Sequence, residues 1–128
     1  MRALLDTHTF LWWLSDDRRL SRRARAVIGQ ADNELVISAV SAWEIATKVR
    51  LGKLDDPSGL ATRLGAQIAE EGFVELPITV EHGRRAGALP AHHKDPWDRM
   101  LVAQAQAEGI AILSNERIFD RYGVERVW

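Results

Sequence analysis

Short apolar runs alternate with longer segments of helical periodicity along this chain, and the alternation limits the fold more than any other feature of the sequence. Each run has the length and apolar content of a buried strand. The runs are RALLD (2–6), ELVIS (34–38), FVELPI (73–78), IAILS (110–114) and VERVW (124–128). Most segments between them are long enough for crossover helices, so the pattern predicts an α/β fold with a mainly parallel sheet and helices on both faces.

Capping residues mark the predicted helices. Ser21 can cap a helix over residues 22–31, and Ser41 is expected to open a helix that closes near Gly52. Ser41 and Glu44 have the spacing of a capping box, in which the glutamate reaches back to the backbone N–H of the cap residue. Further helices are predicted over 7–14, 60–72, 80–89, 96–108 and 115–123.

Length and composition exclude several classes of protein. A chain of 128 residues, 46% hydrophobic and 27% charged, fits one globular domain spanning residues 1–128. Its apolar runs are too short to cross a bilayer and Asp6 interrupts any signal-peptide pattern, so a cytoplasmic protein without a membrane partner is expected. The chain has no cysteine, which excludes disulfides and thiolate zinc sites and leaves oxygen or imidazole as the metal ligands available.

The charge distribution is compatible with local contacts to phosphate. The net charge of −1 gives no global positive field of the kind found in dedicated nucleic-acid-binding domains. Basic residues nevertheless cluster at 18–25 and at 92–99. The first cluster is either a phosphate-binding surface or the solvated face of a helix, and the sequence leaves both readings open.

Four acids from distant parts of the chain are predicted to lie at strand ends or helix starts. Asp6 follows the first strand, Glu44 lies in the first turn of the helix after the second, Asp98 opens the helix before IAILS, and Glu116 follows that strand. Active sites of open parallel sheets form outside the carboxyl ends of the strands, where these four side chains would converge if the strands are neighbours.

Each acid also has an ordinary structural explanation. Asp6 can cap the helix over 7–14, Glu44 completes the capping box, and Glu116 is a first-turn acid. In the sequence DPWD, Asp95 is the expected N-cap before Pro96, which leaves Asp98 free to point toward the strand ends. We therefore assign Asp95 to structure and Asp98 to chemistry.

Several carboxylates in one place raise one another's pKa unless a cation lies among them. Oxygen ligands select hard ions, and Mg²⁺ binds a few carboxylates while it keeps waters and phosphate oxygens as its other ligands. The set of acids therefore predicts a Mg²⁺ or Mn²⁺ site with phosphate chemistry.

Five motifs, in this order, are similar to those of a known family: LLDTHTFLWWL, SAWEIATKVRLGKL, LPIT, HHKDPWDRMLVAQA and ILSNE. Over nearly its full length the chain resembles the PIN-domain ribonucleases, specifically the VapC toxins of bacterial toxin–antitoxin pairs. The resemblance implies a three-layer α/β/α sandwich and a metal-dependent endoribonuclease that hydrolyses RNA with a metal-activated water. It also implies a homodimer and a VapB-like antitoxin whose C-terminal segment lies in a groove and blocks the site.

The resemblance assigns catalytic roles to Asp6, Glu44, Asp98 and Glu116. Asp6 and Asp98 would be the main ligands of Mg²⁺ or Mn²⁺, and Glu44 would complete the metal site or orient the water. The fourth position usually carries aspartate in related sequences, so the longer Glu116 binds metal either directly or through water. Ser114 falls on a small hydroxyl position that borders the family's site.

Residues around this site are candidates for substrate and partner contacts. His92, His93, Lys94 and Arg99 flank the site and would bind RNA phosphates, or they form an exposed loop and a helix surface. His8 is expected to be packed or to face a partner. A helix cannot bury all of the adjacent aromatic and apolar residues 10–13 on one face, so they form either an interface or a core helix covered on two sides.

Two functions from other classes compete with this interpretation. A phosphoacceptor signalling domain would need an aspartate at the end of a central strand and a lysine after a late strand, and neither ELVIS nor IAILSNER supplies them. An RNA- or partner-binding module without activity stays open because of Glu116. Substitution of the acids would abolish function in a nuclease and leave binding largely unchanged in a binding module.

Overall fold

The computed structural model describes residues 1–128 and contains a five-stranded sheet with the strand order β3-β2-β1-β4-β5. The strands are β1 (Arg2–Leu5), β2 (Glu34–Ser38), β3 (Val74–Leu76), β4 (Ala111–Leu113) and β5 (Arg126–Val127). All four pairings between neighbouring strands are parallel. The predicted parallel sheet is confirmed, and each observed strand lies within a predicted apolar run.

Six α-helices and two 3₁₀ helices connect the strands. The α-helices are α1 (Thr7–Leu14), α2 (Arg22–Gly29), α3 (Ala39–Arg50), α4 (Leu64–Glu70), α5 (Val80–Ala88) and α6 (Pro96–Glu108). The helix predicted over 60–72 is divided into a 3₁₀ helix over Leu60–Thr62 and α4. Arg63 is both the C-cap of the 3₁₀ helix and the N-cap of α4. The helix predicted over 115–123 is a 3₁₀ helix over Arg117–Tyr122.

Alternating side chains of the strands build two hydrophobic cores, one on each face of the sheet. Ala3 and Leu5 of β1 belong to the core that α1, α2 and α4 cover. Leu4 points to the opposite face, where Leu101 and Val102 of α6 pack against it. These two cores confirm the predicted α/β/α arrangement of three layers.

The start of α3 differs from the prediction. Ser38, not Ser41, is the N-cap, and its side chain accepts a hydrogen bond of 3.0 Å from the Val40 N–H. Since β2 continues directly into the helix, Ser41 and Glu44 lie inside it and form no capping box. Glu44 is therefore in the second turn of α3, and its carboxylate is not needed to cap the helix.

The strand order reverses direction at β1, which has β2 on one side and β4 on the other. Helices that follow β1 and β4 leave a crevice between them at such a point, outside the carboxyl ends of the strands. Asp6 and Ser114 are the first residues after β1 and β4.

None of the helices has the length and apolar character needed to cross a membrane.

Candidate active site

Asp6 joins the end of β1 to the start of α1. Its Oδ1 accepts a hydrogen bond of 2.8 Å from the backbone N–H of Thr9, which makes Asp6 the N-cap of α1. The side chain is 2% exposed, and its backbone N–H donates to the Leu113 carbonyl at the end of β4. The cap uses only one carboxylate oxygen, so the structural role of Asp6 leaves the other oxygen for a second partner.

That second partner is Ser114. Its hydroxyl donates a hydrogen bond of 2.5 Å to Asp6 Oδ2, and the same hydroxyl oxygen accepts 3.0 Å from the Glu116 backbone N–H. Ser114 is fully buried. The predicted position of Ser114 beside the acids is therefore observed, and its immediate contact is a carboxylate.

Asp98 is in the first turn of α6, directly after the cap. Asp95 Oδ1 accepts hydrogen bonds from the backbone N–H groups of Trp97 and Asp98, at 2.8 and 3.3 Å, and Pro96 occupies the first helical position. The N-cap predicted at Asp95 is thus observed. Asp98 Oδ2 lies 2.8 Å from His93 Nε2. His93 Nδ1 accepts a weaker bond of 3.4 Å from the Asp95 N–H, an arrangement that assigns the ring proton to Nε2, where it is donated to Asp98.

The electrostatics of Asp6 and Asp98 are linked. Burial raises the pKa of Asp98 to about 7, and the charges of Asp95 and Asp6 contribute, against the opposing effect of His93. Burial also raises the pKa of Asp6, although the hydrogen bonds from Ser114 and Thr9 favour the ionised form. Two carboxyl groups from distant segments therefore share one site and oppose each other's ionisation.

Glu44 lies on the buried face of α3 and is 3% exposed. Its Oε2 accepts a bond of 2.5 Å from the Lys48 ammonium, one helical turn along, whereas Oε1 is buried without a hydrogen-bond partner. One turn before Glu44, the hydroxyl of Ser41 shares a hydrogen bond of 2.8 Å with that of Thr7, the neighbour of Asp6. This contact ties α3 to the start of α1.

Carboxylate oxygens are the ligands that hard divalent cations prefer. In the structure, no three Asp, Glu or His side chains are grouped closely enough to hold one ion. Three observations nevertheless fit such an ion: the raised pKa values of Asp6 and Asp98, and the buried oxygen of Glu44 that has no partner. Each of these features is energetically unfavourable, and a cation bound nearby would offset it.

The other predicted site residues occupy different environments. Glu116 is half-buried at the start of the second 3₁₀ helix, and its side chain makes no capping bond. His92 is exposed with its ring against Tyr122, at 5.1 Å between ring centroids. Lys94 is exposed in the same loop. His93 is the member of this group that contacts an acid of the site.

The Arg99 guanidinium is bound to the backbone of its own protein. It donates to the carbonyl groups of Ala86, Leu89, Pro90 and His93, at distances between 2.8 and 3.2 Å. These bonds hold the segment between α5 and α6 and leave little of the donor capacity of the side chain for RNA. This role of Arg99 was not predicted, because carbonyl contacts made across a loop have no sequence pattern.

The basic cluster at 18–25 is divided between paired and free side chains. Arg19 pairs with Asp17 at 2.8 Å, and Arg25 pairs with Asp16. The other three arginines of the cluster are exposed and form no ion pair. The cluster is therefore partly neutralised by acids in the preceding turn.

The aromatic residues at the start of the chain are only partly covered. Phe10 is fully buried, whereas Trp12 and Trp13 are half-buried against the core, and Arg19 lies 4.9 Å above the Trp12 ring. Trp12 lines an open groove of about 670 Å³ between α1, the middle of α3 and the segment from Leu54 to Gln67. His8 is exposed and lines the same groove.

A second aromatic pair was not predicted. Trp43 and Trp97 lie edge to face with ring centroids 4.5 Å apart, and Trp43 is 64% exposed. Each is the sequence neighbour of a predicted site acid, Glu44 or Asp98. The spacing of both tryptophans is that of core residues on amphipathic helices, so the exposure of Trp43 could not be predicted from the helical pattern.

Comparison with known proteins assigns the chain to a family. A profile of the PIN domain matches residues 3–125. Ribonuclease VapC22 of Mycobacterium tuberculosis is 32% identical over 116 residues, covering 90% of this chain and 87% of the relative. Ribonuclease VapC16 of the same organism is 37% identical over 71 residues, covering 52% and 49%. The chain belongs to the PIN domain family. Within that family its curated relatives are VapC ribonucleases, as the sequence motifs indicate.

Solved structures share the fold. VapBC2 from Rickettsia felis, bound to a DNA fragment from its promoter, superposes with a TM-score of 0.72 at 14% identity, covering 98% of this chain and 97% of the other. FitAcB from Neisseria gonorrhoeae has a TM-score of 0.66 at 17% identity, covering 97% and 95%. The predicted PIN-like fold is confirmed.

Proposed function

We propose that this protein is a metal-dependent endoribonuclease and the toxin of a toxin–antitoxin pair. The observation that carries the proposal is the pairing of Asp6 and Asp98 at the reversal point of a parallel sheet, where burial raises the pKa of both carboxyl groups. The relatives named ribonuclease VapC support the reaction class and the substrate.

Asp6, Asp98 and Glu44 are the residues that would hold Mg²⁺ or Mn²⁺. A cation held by these residues would supply Lewis acidity for the attack of water on a phosphodiester, and such a hydrolysis would leave a 3′-hydroxyl and a 5′-phosphate. Ser114 and the Thr9 N–H hold the Asp6 carboxylate, and His93 orients Asp98. Glu116 lies beside Ser114 and acts on the water rather than as a direct ligand.

The loop before α6 would contribute to RNA binding. His92 and Lys94 are exposed and available to phosphate oxygens, which give affinity without sequence selectivity. Because the Arg99 guanidinium is bound to four carbonyls, we assign it to holding this loop in place instead of contacting RNA directly.

Two protein partners follow from the surface. The groove beside Trp12 has the volume and apolar lining to receive a segment of a VapB-like antitoxin, and the structural neighbours named as VapBC complexes support such a partner. The exposed Trp43, packed on Trp97, is the candidate anchor of a homodimer.

The test is an assay with purified, antitoxin-free protein and total RNA in Mg²⁺, Mn²⁺ or EDTA. An Asp98→Asn variant purified identically exposes contaminating nuclease, and we expect discrete, metal-dependent cleavage by the wild type alone. If a folded, metal-binding wild type fails to cut an RNA pool that contains structured and single-stranded targets, the protein is an RNA- or partner-binding module instead.

A further inference from the structure

A cavity of about 300 Å³ beside Glu44 contains two lysines and belongs to neither the acidic pair nor the loop before α6. It lies between α1 and the C-terminal half of α3, and Glu44 is the single acid among its lining residues. Lys48 and Lys53 supply two ammonium groups to it. We propose that this cavity binds a phosphate group of the RNA next to the phosphate that is cleaved, an inference that rests on the proposed nuclease function.

The backbone after α3 brings the two lysines together. The N–H groups of Lys53 and Leu54 both donate to the Lys48 carbonyl, at 2.8 and 3.2 Å. The chain can fold back in this way because Gly52 has a φ of 72°, in the left-handed region that other residues rarely adopt. The two ammonium groups therefore reach one cavity although their positions differ by five residues.

Both ammonium groups have donors to offer a phosphate. Lys48 uses one of its three N–H donors for Glu44 Oε2, and its side chain is one-third exposed. Lys53 is exposed and has neither an ion pair nor a side-chain hydrogen bond. With two cations against one acid, the lining of this cavity is net positive beside a strongly acidic centre.

The position of the cavity fits a phosphate adjacent to the reacting one. Thr7 lines the cavity and directly follows Asp6 in the chain, so the cavity adjoins the acidic centre. An acidic centre repels a polyanion, and a nearby pair of lysines would hold the RNA backbone against that repulsion. Contacts of this kind position the strand without reading its sequence.

The test measures RNA binding without cleavage. In the Asp98→Asn background, the affinity for a fluorescein-labelled single-stranded RNA of mixed sequence is measured by anisotropy at several salt concentrations. Lys53→Gln and Lys48→Gln are compared with Arg50→Gln, which removes one charge from the last turn of α3 at an exposed position outside the cavity. The amide of Lys48→Gln retains a donor for Glu44, and Lys53 has no side-chain partner to lose.

We expect each lysine variant to bind RNA about fivefold more weakly at low salt and to reduce the slope of log K against log [salt] by about 0.7, the value for one lost contact on a single strand. Arg50→Gln keeps the parent affinity and slope. If the lysine variants have the same RNA affinity and salt slope as Arg50→Gln, the proposed phosphate site is wrong. It is also wrong if the parent Asp98→Asn protein binds no RNA. Metal-dependent cleavage by the wild type is measured separately, so the nuclease proposal can stand when the phosphate site fails.

Discussion

The hydroxyl of Ser114 donates its hydrogen to Oδ2 of Asp6 and so joins the carboxyl ends of the neighbouring strands β4 and β1. Both side chains are buried, and the other oxygen of Asp6 is held by the cap of α1. The carboxylate therefore has a fixed orientation before any ligand is bound. Preorganisation of this kind lowers the cost of ordering a reacting group.

Ser114→Ala removes this bond and also the acceptor of the Glu116 N–H. We expect kcat/KM for RNA cleavage to fall about tenfold or more and the free energy of unfolding to fall by about 1 to 3 kcal/mol, because a buried carboxylate oxygen loses its partner. Initial rates of RNA cleavage and chemical denaturation measure the two effects. Ser15→Ala is the control, since its hydroxyl binds an exposed helix carbonyl, and equal losses in both variants would remove the special role of Ser114.

The Asp98 carboxyl makes stability depend on pH. Its pKa is raised from 3.8 to about 7 in the folded state, so the folded protein holds a proton that the unfolded chain has released. The stability contributed by this proton is fully present below about pH 4 and is lost as the pH rises through 7. The loss is at most about 4 kcal/mol, from about 1.4 kcal/mol per pKa unit.

Asp98→Asn removes this ionisation and retains a hydrogen-bond acceptor for His93. We expect the variant to unfold at a higher temperature than the wild type at pH 8, with the difference shrinking as the pH is lowered to 4. Thermal unfolding across this range measures it. A difference that stays constant with pH would contradict the raised pKa.

Arg99→Lys tests whether the side chain holds the loop or binds RNA. A single ammonium cannot reach the four carbonyls that the planar guanidinium binds, so we expect a loss of about 2 kcal/mol in unfolding free energy and faster proteolysis of residues 89–95. An RNA-contacting arginine would instead tolerate the lysine with little change in stability. Arg84→Lys, on the exposed surface of α5, is the matched control.

Trp43→Ala tests the proposed homodimer. Since Trp43 is 64% exposed, we expect little change in the unfolding temperature of the monomer at low concentration but a shift from dimer to monomer mass in light scattering. Val80→Ala removes another exposed apolar side chain, on α5, and should leave the mass unchanged. A variant of Trp43 that remains a dimer would place the interface elsewhere.

The sheet was predictable from sequence because each strand is a short apolar run, which is the pattern expected of a parallel strand buried on both faces. The caps at Asp6 and Asp95 were predictable for the same reason, since capping depends on residues adjacent in the chain. Ser41 was predicted as the N-cap of α3 in place of Ser38 because both serines precede helical sequence. The two differ in their contacts, since the Ser38 hydroxyl accepts from the Val40 N–H and the Ser41 hydroxyl binds that of Thr7.

The positions of the acids in the fold were predictable, but the contacts that their side chains make were not. The sequence places Asp6, Asp98 and Ser114 at strand ends or helix starts, and the topology brings them together. It does not indicate that Lys48 neutralises one oxygen of Glu44, or that Arg99 binds backbone carbonyls. Such contacts depend on side-chain directions fixed by packing, which no spacing rule specifies.

The central position of β1 also has a consequence for synthesis. Asp6 lies in the middle of the finished sheet, and it is translated well before Asp98 and before the strand that leads to Ser114. Until α6 and β4 have been translated, β1 therefore lacks one of its two neighbours, and the carboxylate at its end lacks both the Ser114 hydroxyl and the opposing acid. A nascent chain of this topology therefore has no assembled acidic centre, because the centre can form only after the strands on both sides of β1 have been made.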